Sequence, residues 1–488
     1  MDGSNLSLID VGDLCVKTGS GTRQQSVFFA IRDKIVRGLW PKNGKLPSTR
    51  KLAQELNLSR NTVISAYEQL VAEGYLVSQR GSGFFVAVEL PEQYLPEKLP
   101  TQAANLPPAA LDVNASFAPG VPDLSLFPTA LWQKYLNRHL SRTCLLGNQD
   151  IQGSWELRCA LSDYLASSRS VNCTPSRIII TSGAQQALCI ATMATLTAGS
   201  RVLMEQPGYA QMRKLILFQQ YQFEPLFVRQ KMGFDIDSVT QSTADALYIT
   251  QSTADALYIT PSNQYPMGTT LNTEQRAQII EWASNQEAWI LEDDYDSEFQ
   301  FAHRPYTSLQ GLAAQMGRDE RVLYIGSFSK VMFNGLRLGY LVVPESLVDK
   351  CLMVKDALSG DTPSHIQAAM ADFISEGSLL RHIRKMRRVY KSKHEQVCFS
   401  IQHYFGDKVR VISQAAGLHV TLSWQQGIDE NTWTQRAKKA GIVMRPVSFY
   451  EHPDFKARDW QGVVIGYGNV RLDNIDPLIK RLFELFDV

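Results

Sequence analysis

Cysteine is scarce in this sequence, and no two cysteines are closely paired. The seven cysteines lie scattered over 488 residues without a C-x-x-C motif. This argues against a disulfide framework or a structural zinc site and favours a reducing compartment. Long apolar runs are also missing, since no stretch approaches the roughly 20 residues that span a bilayer, and the first residues lack the basic-then-apolar profile of a signal peptide. These absences predict a cytoplasmic protein with no membrane segment and no metal site.

Net charge is almost absent overall, but it is unevenly distributed. The formal charge is +1, whereas the stretch from Thr22 to Ser82 holds ten Lys or Arg against four Asp or Glu. The remainder is therefore slightly acidic. The length predicts about three folded units, and the basic block predicts a polyanion-binding module fused to them.

The basic block has the pattern of a winged helix-turn-helix over residues 22–88. Helical periodicity runs from Gln24 to Leu39, and serine caps then predict one helix from Ser48 to about Glu55 and another from Ser59 to about Glu73. Two β-rich runs, 75–78 and 84–88, flank a glycine-containing turn and predict a hairpin wing. The alternative for any single cation is a solvated helix face. The residues expected to meet double-stranded DNA are Arg50, Ser59, Arg60, Asn61, Thr62, Arg80 and Ser82.

A proline-rich stretch and a long alternating region follow this block. Residues 89–113 carry five prolines and predict a semi-rigid linker. From residue 114 to 488, strands alternate with helices, which predicts an α/β fold with a mostly parallel sheet and ligand groups at the carboxyl ends of its strands. The large part covers about 150–360, and the rest, about 361–488, predicts a smaller α+β part.

Two motifs in this region are suited to a phosphorylated aldehyde cofactor. Lys330 ends the motif SFSK after a predicted buried strand, where a lysine can form a Schiff base with an aldehyde. The start of a helix directly after a strand offers free N–H groups to a phosphate. The expected phosphate ligands are Ser327, Ser329, Arg337, Gly183, Ala184 and Gln185.

The EDDYD motif supplies a carboxylate for the pyridine nitrogen of such a cofactor. Asp293 is the expected residue and Asp294 is the alternative. Tyr295 and Asn263 are expected at the phenolic oxygen, and Tyr209 on the ring face. Each motif alone is more often a surface turn, but their order along the chain, each at a strand end, favours a cofactor site.

A ten-residue segment, QSTADALYIT, occurs twice in succession at 241–250 and 251–260. A single perfect copy is not a solenoid repeat. Because the second copy runs directly into Pro261, it is expected to form the sheet strand, and the first copy is expected to be structurally redundant.

The N-terminal motifs resemble the GntR winged helix, and residues from about 114 onward are similar to fold-type I aminotransferases. The two together resemble the MocR-type branch of GntR regulators. This resemblance implies pyridoxal 5'-phosphate held as an aldimine on Lys330, a homodimer, and DNA binding modulated by the cofactor or by an amino compound. The favoured hypothesis is therefore a transcription regulator. The alternatives are an active aminotransferase with a DNA-binding appendage and a cofactor-free structural descendant.

The sequence departs from the family pattern at several positions. Asn148-Gln-Asp-Ile151 replaces a run whose tyrosine, in related enzymes, reaches the partner subunit's phosphate. Asn334 stands where members often have proline. The last strand lacks the arginine that aminotransferases use for a substrate carboxylate. Arg445 is the candidate substitute for binding a substrate or effector, and the alternative is a surface or phosphate-facing arginine.

Overall fold

The computed structural model describes residues 9, 11, 14, 22–88, 115–228, 252–301, 306–455 and 458–486. The chain forms two compact units that divide between Ala110 and Leu111. The division falls within the predicted linker, which itself lies outside the described residues.

The first unit contains three helices and a hairpin. They are α1 (Arg23–Val36), α2 (Thr49–Glu55), α3 (Arg60–Ala72), β1 (Leu76–Gln79) and β2 (Gly83–Val86). The Ser48 and Ser59 side chains accept hydrogen bonds from backbone N–H groups in the first turns of α2 and α3, which confirms both predicted caps. The sequence prediction extended α1 too far, to Leu39. The helix ends at Val36 because Gly38 adopts a left-handed φ of +69°.

The large sheet of the second unit has seven strands. In chain order they are β3 (Ile178–Thr181), β4 (Arg201–Gln206), β5 (Gln222–Phe227), β6 (Ala256–Ile259), β7 (Trp289–Asp294), β8 (Val322–Ser327) and β9 (Gly339–Val342). Their spatial order is β3-β9-β8-β7-β6-β4-β5. Strands β4 to β8 are parallel and β9 is antiparallel to both neighbours, which confirms the mostly parallel sheet.

Helices cover both faces of this sheet. They are α4 (Thr129–Leu140), α5 (Trp155–Arg169), α6 (Ala184–Thr195), α7 (Ala210–Phe218), α8 (Thr273–Gln286), α9 (Leu309–Gln315) and α10 (Val348–Ser359). Side chains of β6 alternate between two buried clusters: Tyr258 packs with α6 residues, and Leu257 packs with α8 residues. Burial on both faces explains why the strands are continuous apolar runs.

The smaller part packs a four-stranded antiparallel sheet against long helices. Its elements are α11 (Ser364–Ser375), α12 (Ser378–Phe405), β10 (Arg410–Val411), β11 (His419–Trp424), α13 (Glu430–Lys439), β12 (Arg445–Pro446), β13 (Gln461–Gly466) and α14 (Leu472–Phe486), with sheet order β10-β11-β13-β12. Across the described ranges, no helix combines the length and apolarity needed to cross a membrane.

Residues 115–123, called the strap below, attach the start of this unit to its smaller part. The Phe117 carbonyl accepts from Gly466 N at 2.8 Å, and Lys393 Nζ donates to the Asp123 carboxylate at 2.7 Å in a buried pair. The strap is therefore held at both ends, and Gly120 lies between the two attachments.

The second copy of the repeated segment supplies β6, as the sequence predicted. Leu257, Tyr258 and Ile259 are buried and pair with β7 in parallel register. The first copy, 241–250, lies outside the described residues.

Candidate functional site

A cavity of about 270 Å³ lies where the parallel strands β6, β7 and β8 end. Ligand groups in α/β sheets collect at this edge because successive strands deliver their following loops to it. The cavity is lined by Pro119, Gly120, Ala184, Gln185, Tyr209, Tyr258, Thr260, Tyr265, Asp293, Tyr295, Asp296, Ser327, Ser329, Lys330, Asn334, Arg337, Leu418 and His419.

Lys330 projects into this cavity from the turn after β8. Its Nζ donates a hydrogen bond to the Gly120 carbonyl at 2.5 Å. Burial lowers the pKa of the Lys330 amine, an effect that the negative charges of Asp296 and Asp293 oppose. Gly120 has a φ of +80°, and a Cβ there would lie 2.6 Å from Nζ, so only glycine allows this approach.

Asp293 is the last residue but one of β7, and its side chain lines the cavity. One oxygen accepts from the Tyr258 hydroxyl at 2.7 Å, and the other, Oδ1, has no partner among the described residues. Burial raises the pKa of the Asp293 carboxyl to about 6, although the Tyr258 hydrogen bond acts in the opposite direction. A buried carboxylate with one free oxygen is suited to a cationic N–H group.

The alternative residue, Asp294, is engaged elsewhere. Its carboxylate accepts from Arg169 at 2.7 and 3.1 Å and from the Tyr324 hydroxyl at 2.5 Å. Arg169 and Asp294 are both buried, so this is an internal ion pair of the fold. The geometry therefore favours Asp293 over Asp294.

Three elements converge at the phosphate end of the cavity. A Cβ built on Gly183 would lie 3.5–3.6 Å from the Arg337 guanidinium, so that cation lies over the start of α6. On the neighbouring turn, the Ser327 and Ser329 hydroxyls form a hydrogen bond of 2.9 Å. A guanidinium, two hydroxyls and a helix N-terminus together form an anion site.

Three of the predicted residues lie outside the lining, and one of them, Gly183, precedes α6 beside the Arg337 guanidinium. Asn263 is buried, and its amide donates to Asp296 at 2.9 Å instead of facing the cavity. Arg445 is exposed on β12, opposite Val464, with its guanidinium 4.6 Å from the Phe449 ring. Arg445 is therefore not part of the lining, although its charge acts on Tyr265, which lines the cavity, and on Tyr450.

The first unit presents its predicted contact residues at the start of α3 and on the wing. Arg50, Arg60, Asn61 and Arg80 are exposed. The Ser59 hydroxyl is used within the chain, since it accepts from Thr62 N at 3.1 Å and lies 2.8 Å from the Thr62 hydroxyl. Thr62 and Ser82 are half-buried. This exposed, capped helix beside a hairpin has the form that enters a major groove.

Both halves of the chain match known families. The profile described as aminotransferase class I and II matches residues 121–458, and that of the bacterial regulatory proteins of the gntR family matches residues 23–86. The probable rhizopine catabolism regulatory protein MocR of Rhizobium meliloti is 31% identical over 475 residues, or 94% of this chain and 91% of that protein. The chain belongs to the MocR-type GntR regulators.

Other relatives of this regulator agree with the assignment. The pyridoxine biosynthesis transcriptional regulator PdxR of Corynebacterium glutamicum is 29% identical, covering 93% of this chain and 94% of that protein. The α-aminoadipate aminotransferase LysN of Thermus thermophilus has the same fold over 77% of this chain and 92% of its own, with a TM-score of 0.68 and 24% identity. The regulator is thus a DNA-binding transcription factor with an aminotransferase-like domain of fold type I.

The cavity of this regulator fits pyridoxal phosphate, the cofactor of the aminotransferase class. Within the described part of the chain, the buried Asp293 Oδ1 and Tyr295 hydroxyl lack hydrogen-bond partners, and both line the cavity. A pyridine N–H group would donate to Asp293 Oδ1, and a phenolic oxygen would accept from the Tyr295 hydroxyl. The anion site beside Arg337 lies in the same lining and matches the cofactor phosphate.

Several lining residues were not predicted from the sequence. They are Pro119, Gly120, Tyr258, Thr260, Tyr265, Asp296, Leu418 and His419, while Asn334 was noted only as a departure from the family. Asp296 has a left-handed φ of +45°, a conformation that favours glycine or a short polar residue. No local motif marks the others, because they come from separate elements.

Proposed function

We propose that this regulator binds double-stranded DNA through its winged helix and senses pyridoxal phosphate, or an amino compound that reacts with it, around Lys330. One observation carries the proposal: a single chain combines an exposed recognition helix with a cavity that is lined by a half-buried lysine and a buried aspartate. The first feature serves DNA binding, and the second serves an aldehyde cofactor.

When bound, pyridoxal phosphate supplies an aldehyde and an electron-withdrawing ring. Lys330 would hold the aldehyde end, because a lowered pKa increases the fraction of neutral, nucleophilic amine. Asp293 would keep the pyridine nitrogen protonated. The remaining contacts would come from Tyr295 at the phenolic oxygen, Tyr209 at the ring face, and Ser327, Ser329, Arg337, Ala184 and Gln185 at the phosphate.

The DNA contacts would divide between base edges and backbone. Arg60 and Asn61, exposed at the start of α3, would meet base edges in the major groove. Arg50 and Arg80 would contact phosphates, and Gly81, whose Cβ position is open, would allow the wing to approach the backbone closely. A regulator that acts on bacterial DNA works in the cytoplasm, which is the location we propose.

A homodimer formed through the aminotransferase-like domain completes the proposal. Large apolar side chains are exposed on both sides of the 148–151 segment: Leu146 is 75% exposed and Trp155 is 57% exposed. Exposed apolar surface of this kind is typical of an interaction site. Symmetric dimers also suit repeated half-sites in DNA.

The test of the cofactor site is Lys330→Ala. We expect this variant to lose borohydride-stable attachment of pyridoxal phosphate while its DNA-binding unit stays folded, because the two units are separate. The matched control is Lys355, a buried lysine whose pKa burial lowers to about 8, but which donates to the Ile151 carbonyl outside the cavity lining. A reduced adduct mapped to Lys355 in the unmodified chain would refute the assignment.

A further inference from the structure

Asn334 places a polar group beside the reactive lysine. It begins a short turn after β8, and its Nδ2 donates to the Gly120 carbonyl at 3.3 Å. The same carbonyl accepts from Lys330 Nζ at 2.5 Å. The side-chain amide therefore borders the space next to Nζ.

The orientation of this amide is fixed by chemistry. A carbonyl oxygen only accepts, so Asn334 must turn its NH₂ group toward Gly120 and its oxygen away. That oxygen, Oδ1, is buried and has no hydrogen-bond partner among the described residues. A buried acceptor without a donor is costly, so this oxygen is suited to a donor from a ligand.

The cofactor leaves this requirement unmet. Its pyridine nitrogen and phenolic oxygen are matched by Asp293 and Tyr295, and its phosphate by the site beside Arg337. Asn334 lies on the Lys330 and Gly120 side of the cavity, so an amino compound that reaches Lys330 comes close to Asn334.

The charges around the cavity disfavour a carboxylate at this position. Among the described lining residues the cations are Lys330 and Arg337, and both are assigned to the cofactor. His419 is neutral at pH 7, because burial lowers its imidazole pKa to about 4. The Asp296 carboxyl also lines the cavity, so an entering carboxylate would meet an acidic group there. Arg445, whose charge acts on the lining residue Tyr265, is exposed on β12 outside the lining.

We propose that Asn334 selects the effector by accepting a hydrogen bond from its second polar group. The effector is then an amine with a hydroxyl or a second amino group, and not an amine with a carboxylate. This inference rests on the proposed function, since it assumes that amino compounds act at the cofactor.

The test uses the full chain loaded with pyridoxal phosphate and four short primary amines of similar size: 3-amino-1-propanol, 1,3-diaminopropane, n-butylamine and β-alanine. The absorbance of the bound cofactor is titrated with each, and the same titration of free pyridoxal phosphate corrects for intrinsic reactivity. We expect the first two amines to reach half-saturation at about tenfold lower concentration than n-butylamine, as one added hydrogen bond allows. We expect β-alanine to need the highest concentration. Equal values for aminopropanol and n-butylamine, or tightest binding of β-alanine, would overturn the inference.

Two variants assign the effect to Asn334. Asn334→Leu keeps a side chain of similar volume without the acceptor. It is expected to raise the half-saturation concentration of aminopropanol to that of n-butylamine. Asn334→Asp keeps an acceptor and is expected to retain tight diaminopropane binding. If the leucine variant does not load cofactor, the titrations of the aspartate variant and of the unmodified chain still test the role of Asn334. An unmodified chain that loads no cofactor refutes the proposed function, whereas one that loads it but prefers β-alanine refutes only the selection by Asn334.

Discussion

Burial raises the pKa of the Asp293 carboxyl to about 6 from its ordinary value of 3.8. A carboxyl group whose pKa is higher in the folded chain does not affect the free energy of unfolding below its unfolded pKa, because it is protonated in both the folded and the unfolded state. As the pH rises from about 4 to about 6, the unfolded chain gains stability relative to the folded chain. Above pH 6 the cofactor-free regulator therefore carries a destabilising carboxylate, on the order of 3 kcal/mol for a shift of about two pKa units.

Asp293→Asn should reverse this effect. The amide oxygen can still accept from the Tyr258 hydroxyl, but no ionisation penalty remains. We expect the cofactor-free variant to unfold at a higher temperature than the unmodified chain at pH 8 and at the same temperature near pH 4, by thermal denaturation across this range. Its affinity for pyridoxal phosphate should fall at least tenfold. A stability difference that does not depend on pH would contradict the assigned cause.

At this scale the sequence predicted residues that lie within contiguous motifs. Lys330, Asp293, Tyr209 and Arg337 each lie in a recognisable run at or after the end of a strand, and all four line the cavity. Gly120 could not be found in this way, because its contact with Lys330 joins residues 210 positions apart. Asn263 was expected at the cofactor, but its amide donates a hydrogen bond to the Asp296 carboxylate. This contact arises only when the fold brings the two residues together.

Among the elements, α3 carries the DNA-binding prediction. We expect Arg60→Ala to weaken binding to the specific site by about 1–3 kcal/mol if the side chain contacts a guanine edge. If it contacts only phosphate, binding to specific and to random DNA should weaken alike. The slope of the logarithm of the binding constant against the logarithm of the salt concentration should then decrease in magnitude by about one. Arg37→Ala is the matched control, since Arg37 is exposed beyond the end of α1 and pairs with Asp33. Equal effects of the two substitutions in a binding titration would remove Arg60 from the interface.

The repeated segment is also tested at the level of the element. Because the second copy already forms β6, deleting residues 241–250 should leave cofactor binding unchanged and shift the free energy of unfolding by less than about 1 kcal/mol, since loop length has a weak effect on closure entropy. Denaturant unfolding and cofactor absorbance measure both quantities. Loss of the cofactor on deletion would mean that the first copy is integral to the site.

Helix starts and strands were predictable because capping serines and apolar runs are local signals. The end of α1 was not, since Leu39 continues the apolar pattern after Gly38 has already turned the backbone. The antiparallel entry of β9 between β3 and β8 also has no sequence signature. The position of β9 depends on which strand edges are available for pairing, and that is set by the other strands of the sheet.

For the whole molecule, the expected state is a homodimer at micromolar concentration, measured by sedimentation. Leu146→Glu should shift the population toward monomer, because it places a charge on the surface beside the 148–151 segment. Phe218→Glu is the control, since Phe218 is 82% exposed at the end of α7, away from that segment in the sequence. Dissociation by the control and not by Leu146→Glu would place the interface elsewhere.

The strap links the reactive lysine to the segment of the chain that leads back toward the DNA-binding unit. Gly120, whose carbonyl accepts from Lys330 Nζ, lies only about five residues after Ala115, where the described part of this unit begins. Between them, the Phe117 carbonyl is fastened to Gly466 of the small sheet. Measured along the molecule, the reactive amine is thus one hydrogen bond and a few peptide units from the chain that leads back to the DNA-binding unit. Any ligand that takes Nζ away from Gly120 removes a hydrogen bond from the strap.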